Sequence, residues 1–133
     1  MAKNKSKHKE LWKNSPDEHD FPAAKDYLSL ITGQKIAEMV VDSLKEVPTE
    51  VRKAKDLLRA SGLPLLGKDD FHVALDLKKV AKGIPLSPVL LVRGSISKQI
   101  PLTVADGYHR ICASYQIDEN QDIPCKIAEP NFS

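Results

Sequence analysis

The sequence predicts an α+β domain in which a helical half precedes a small mixed sheet. Between Phe21 and Gly62 the apolar residues recur at helical spacing. From Phe71 onward they gather into short runs rich in Val, Leu and Ile, the composition of strands. The chain has 133 residues, enough for one core and not comfortably for two. A single domain is therefore expected over residues 20–133, with a helical part at 20–66 and a mixed-sheet part at 67–133.

The first stretch, "MAKNKSKHKELWKN", is lysine-rich and nearly free of apolar side chains. Ordering it would cost about 1–2 kcal/mol per residue in backbone entropy with little burial in return. Residues 1–19 thus read as a basic, flexible arm, solubilising or able to grip phosphates. Trp12 stands out there as a residue able to dock the arm on the domain or on a partner.

"DFPAAKDYLSLITG" predicts the first helix, opened by Asp20 or Phe21, with Pro22 in its first turn and Gly33 at its end. Tyr27, Leu28, Leu30 and Ile31 supply its apolar side. "QKIAEMVVDSLKEV" predicts the second, with Ile36, Val40, Leu44 and Val47 in register. Pro48 ends it, and Thr49 can cap a third helix, "EVRKAKDLLRASG", closed by Gly62. Val51, Ala54, Leu57 and Leu58 would face inward. Arg52, Lys55 and Arg59 would share the outer face, either as a solvated stripe or as contacts to a nucleic-acid backbone.

"FHVAL" reads as a strand and "DLKKVAKG" as a short helix ending at Gly83. "PVLLVRG" and "IPLTVAD" read as strands joined by the loop "GSISKQ". "GYHRICASYQI" is a helix and "IPCKIAE" a last strand.

Composition narrows the function classes. Aromatics are 5%, so the core must be aliphatic. The net charge of +2 is too mild to demand nucleic acid and does not exclude it. Cys112 and Cys125 lack zinc-ligand spacing, and a chain of this size needs no disulfide framework. No run is long enough to span a membrane and no signal-peptide pattern follows the start, which makes the cytoplasm the expected location. A homodimer is compatible with these totals.

The chemistry concentrates at "ADGYHR". A helix start leaves backbone N–H groups unpaired and carries partial positive charge, so it attracts anions. Gly107 lets a phosphate approach the main chain. Arg110 offers a forked contact to phosphate oxygens, and His109 can donate or shuttle a proton. Asp106 has two readings: a cap for the helix, or a ligand for Mg²⁺ beside a bound phosphate.

The stretch from about residue 71 to 128, with "DGYHR", "ASYQ" and "IPCK", resembles the ParB/sulfiredoxin superfamily. The resemblance implies a ParB/sulfiredoxin-like small mixed sheet, here preceded by a helical segment like those of small bacterial ParB-domain proteins. It implies nucleotide phosphates held by Gly107, Tyr108, His109 and Arg110, and by Lys79 where sulfiredoxins place a phosphate-contacting lysine. Tyr108 occupies the position of the sulfiredoxin nucleophilic cysteine, which argues against that chemistry. It also replaces the acidic residue of the CTP-binding partitioning proteins, whose helix-turn-helix domain does not fit after the last predicted strand. Closest is the Asp-Gly-His-x-Arg turn of superfamily phosphotransferases; other members are described as nucleases.

The expected function is thus a nucleotide- or phosphate-binding domain, with ATPase or phosphotransferase activity open. Its cofactor would be Mg²⁺ with ATP or CTP, and Asp106 and His109 would be the catalytic pair. Asp69, Asp70 and Asp76 are further candidates for the base. The alternative is a DNA- or protein-binding regulatory module using the basic arm together with Arg52, Lys55 and Arg59.

Overall fold

A computed structural model describes residues 11–130. Nine elements follow in order: α1 (Asp20–Thr32), α2 (Gln34–Glu46), β1 (Glu50–Lys53), α3 (Ala54–Ser61), α4 (Phe71–Ala81), β2 (Val89–Val92), β3 (Thr103–Asp106), α5 (Tyr108–Ile117) and β4 (Asp122–Ala128). The protein is a small mixed α+β structure with a four-stranded sheet in the order β1-β4-β2-β3. β4 pairs antiparallel with β1 and parallel with β2, and β2 pairs antiparallel with β3.

The pleat divides the core in two. Val89 and Leu91 of β2, Val104 of β3, and Ile123, Cys125 and Ile127 of β4 face one side. They pack there against Ala54 and Leu57 of α3 and Ile111 of α5. Leu90, Val92, Ala105 and Ala128 face the other side, covered by Ala24 and Leu28 of α1 and by Ala37, Val40, Val41 and Leu44 of α2. Every residue of β2 is buried because it is central and covered on both faces. Among the described residues no helix is long and apolar enough to cross a membrane.

Both helices of the first hairpin form as expected, but α1 buries a different side. Its inward positions are Asp20, Ala24 and Leu28, whereas Leu30 is 86% exposed and Tyr27 and Ile31 are also exposed. The larger side chains point outward because α1 packs closely on α2 and the sheet through the small Ala24.

Three expectations fail. The third helix does not begin at Glu50. Glu50–Lys53 forms the edge strand β1, in register with Asp122–Cys125, so Thr49 caps nothing and Val51 is exposed. Three charged residues in the four of "EVRK" suit an edge that faces water. "FHVAL" is not a strand. Asp70 caps α4 by accepting hydrogen bonds from the His72 and Val73 backbone N–H groups, each at 3.0 Å. Val73, Leu77 and Val80 then fall on one helical face, with Val73 against Cys112 and Ala113. The flexible arm does not reach to residue 19. Its first ten residues lie outside the described ones, but from Leu11 the segment is part of the fold. Trp12 is buried beside Leu86. The Leu86 N–H donates to the Leu11 carbonyl at 2.8 Å, and the Lys13 N–H to the Leu86 carbonyl at 2.7 Å.

Candidate functional site

β3 ends at Asp106 and α5 starts at Tyr108, with Gly107 between them at φ +112°. A Cβ at Gly107 would lie 2.4 Å from Val89 Cγ1 and 2.8 Å from Arg110 Nη2. The glycine is therefore required by its left-handed backbone and by close packing on β2. Gly107→Ala is expected to cost about 1–3 kcal/mol through strain of this kind. A urea midpoint equal to that of the wild type would contradict this geometry.

The turn opens into a cleft of about 360 Å³. Gly107, His109, Arg110 and Asp106 line it from the β3–α5 corner, and His72, Asp76 and Lys79 line it from α4. Ser87 and Leu86 come from the approach to β2, and Lys13, Asp17 and His19 from the N-terminal segment. The fold thus brings Lys79, about thirty positions earlier in the chain, to the same cavity as the α5 start. His109 and His72 lie with ring centroids 4.6 Å apart at 44°. Lys79 is exposed, and its ammonium forms no hydrogen bond or ion pair among the described residues, so it is available to an anion.

Arg110 is not available in the same way. Nη2 donates to Asp106 Oδ2 at 2.7 Å and Nη1 to Ser87 Oγ at 2.5 Å, and Asp20 Oδ2 lies 3.7 Å from Nη1. The guanidinium is 15% exposed and Asp20 3%. Asp20 also accepts the Asp17 backbone N–H at 3.1 Å and lies 3.4 Å from His19 Nε2. Arg110 therefore ties the start of α5 to the start of α1.

Asp106 does not cap α5. Gly107 occupies the cap position and no side chain caps the helix. Burial pushes the Asp106 carboxyl above the usual carboxylate range and Asp20 pushes it further, while Arg110 opposes both. A Mg²⁺ ion at Asp106 does not fit this donor set, because the guanidinium occupies the cation position on Oδ2. Asp17, His19 and Asp20 bring potential ligand atoms within 4.8 Å of one another. Lys13 Nζ, 2.7 Å from Asp17, and Arg110 beside Asp20 already balance that charge.

Tyr108 turns away from the cleft. Its hydroxyl donates to the Pro64 carbonyl, and its ring packs on the core near Cys112. Cys112 and Cys125 are both free and buried, as small core residues. Burial raises both thiols, Cys125 to about 12. Of the other candidate bases, Asp70 is the α4 cap, and Asp69 does not line the cleft. Arg52, Lys55 and Arg59 do not share one helical face. Arg52 lies on β1 and pairs with Glu50 at 2.8 Å, while Arg59 pairs with Asp56 at 3.7 Å. Lys55 and Arg59 border a separate depression with Leu63 and Tyr115.

Asp20, Ser87, His72 and the residues of the N-terminal segment were not anticipated as parts of the site. A signal for the α4 wall does exist: His72, Asp76 and Lys79 are spaced i, i+4, i+7, one face of a helix. It is legible only if "FHVAL" is taken as helical. No protein-family model, curated protein or solved structure matches this chain.

Proposed function

We propose that the chain is a phosphate-binding domain of the ParB/sulfiredoxin type, taking the phosphates of a nucleotide in the cleft at the start of α5. The observation that carries the reading is the meeting of Gly107, His109 and Lys79 in one cavity with a helix N-terminus that no side chain caps. The succession β2, β3, α5, β4, with the glycine turn leading into α5, is the order of elements on which the resemblance to that superfamily rests. Lys79 supplies a cationic wall, His109 and His72 supply donors, and the exposed Leu75 and Ile84 offer apolar surface to the remainder of the ligand. Arg110 holds the turn in place instead of gripping the phosphate. Any Mg²⁺ would travel on the nucleotide's own phosphate oxygens.

The test is a thermal-shift and calorimetric titration of ATP and CTP, with and without Mg²⁺, on the wild type and on Lys79→Ala and His109→Ala. A ligand at 100 times its dissociation constant stabilises the native state by about 2.7 kcal/mol. Lys79→Ala is expected to weaken binding by roughly tenfold or more, the size of a lost charge-assisted hydrogen bond. Equal affinity in both variants would remove the phosphate from this cleft.

A further inference from the structure

Among the cleft residues, Asp76 has no part in holding the fold or, on the reading above, the phosphates. It lies on α4, is 9% exposed and lines the cavity. Its carboxylate accepts no hydrogen bond and lies beyond ion-pair distance of any cation among the described residues. Structural carboxylates this little exposed are normally paired; the Asp76 oxygens are not among the fully buried unpartnered atoms of the described residues and so open onto the cleft. Asp106, on the same cleft, and Asp20, both held by Arg110, show what pairing looks like in this protein.

The groups facing Asp76 are Lys79 and His72 on its own helix and Arg110 and His109 on α5, all near enough to favour its ionised form. Burial outweighs them and raises the carboxyl above its ordinary range. A group so balanced holds a proton more readily than an ordinary carboxylate and can take one from a bound hydroxyl. Because α4 packs directly on α5, the carboxylate and the α5 start face the same volume.

We infer that Asp76 is the general base of this cleft, taking the proton from a hydroxyl as its oxygen attacks the terminal phosphorus of a nucleoside triphosphate seated at the start of α5. The inference rests on the phosphate-binding reading above. The new bond joins the attacking oxygen to phosphorus. The bond from that phosphorus to the β–γ bridging oxygen breaks, and the nucleoside diphosphate departs with the electron pair. The proton passes to Asp76 and from there to water. Inorganic phosphate reports water as the attacking group, and a phosphate ester reports an alcohol.

The experiment measures phosphate release from ATP and CTP, and ester formation with added glycerol, by the wild type, Asp76→Asn and Asp76→Glu between pH 5 and 9. Nucleotide binding is measured in parallel by calorimetry. Asp76→Asn is expected to fold, to bind nucleotide at least as tightly as the wild type, and to lose roughly 10²–10⁴-fold in turnover. Asp76→Glu should recover part of the rate. The wild-type rate should rise with pH through the Asp76 titration, a limb that Asp76→Asn lacks. Unchanged turnover in Asp76→Asn, or a parallel loss of binding and turnover, would overturn the assignment. Binding by the wild type with neither product formed would overturn it while leaving the phosphate site standing. No nucleotide binding by the wild type would overturn both.

Discussion

Arg110→Ala should destabilise the fold by about 3–5 kcal/mol, the usual consequence of removing one partner from a buried ion pair. The loss follows from what remains. Asp20, 3% exposed, and Asp106 would keep their charges with no guanidinium between them, and Ser87 Oγ would lose its donor. Arg110→Lys should recover only part of the loss, since one ammonium cannot span the three acceptors that a planar fork reaches. The pH dependence has a defined sign. Without Arg110, the Asp106 carboxyl, already raised by burial, titrates at still higher pH in the folded state. Folding then gains as pH falls through that raised value, and the gain is complete below the unfolded value, about 3.9. The gap between mutant and wild type should accordingly be wide at pH 7 and narrow toward pH 4. Urea unfolding at both pH values measures it. A loss below about 1 kcal/mol, the size expected of an exposed pair, would contradict the buried network. This result bears on function too, because an Arg110 variant that unfolds cannot report on ligand binding.

Trp12→Ala should cost about 3–5 kcal/mol, typical of deleting a buried aromatic side chain. The indole is 5% exposed and packs with Ala54, Leu57, Leu86, Val89 and Ile111. Its Nε1 is buried without a hydrogen-bond acceptor among the described residues, so Trp12→Phe should be much milder. Trp12 is the one tryptophan in the chain, and intrinsic fluorescence therefore reports its burial directly. Native emission should be blue-shifted and should move red as the protein unfolds in urea. Emission already characteristic of a wet indole in the native protein, or an unchanged midpoint in Trp12→Ala, would place the segment off the domain. Lys13, Asp17 and His19 follow Trp12 and line the cleft, so on the proposed phosphate-binding function the same substitution should also weaken nucleotide binding.

The α+β class, both helices of the first hairpin, β2, β3, α5 and β4 were legible in the sequence, because their signals are local. Periodicity of 3.6, the glycine stops at Gly33 and Gly62, and runs such as "VLLV" are properties of short segments. The turn at Gly107 was legible for the same reason, since a glycine between a strand and a helix marks a special backbone. Other features were decided by packing. "EVRK" carries helical propensity, yet it becomes β1 because β4 offers it a free edge. "FHVAL" has β-favouring residues, yet it becomes helical once Asp70 caps it and Val73 finds Cys112 and Ala113. The lysine-rich start gave no periodic signal, and only the core's demand for one large indole shows that residues from Leu11 onward belong to the fold. The role of Arg110 likewise depends on distant partners. Asp20 lies ninety positions away along the chain, and nothing local says that its carboxylate will meet that guanidinium. Sequence by itself determined where most of the elements and the glycine turn lie, because those depend on neighbouring residues. Tertiary structure decided which charges the turn must satisfy internally and which it can offer to a ligand, because burial and pairing are set by residues that meet only on folding.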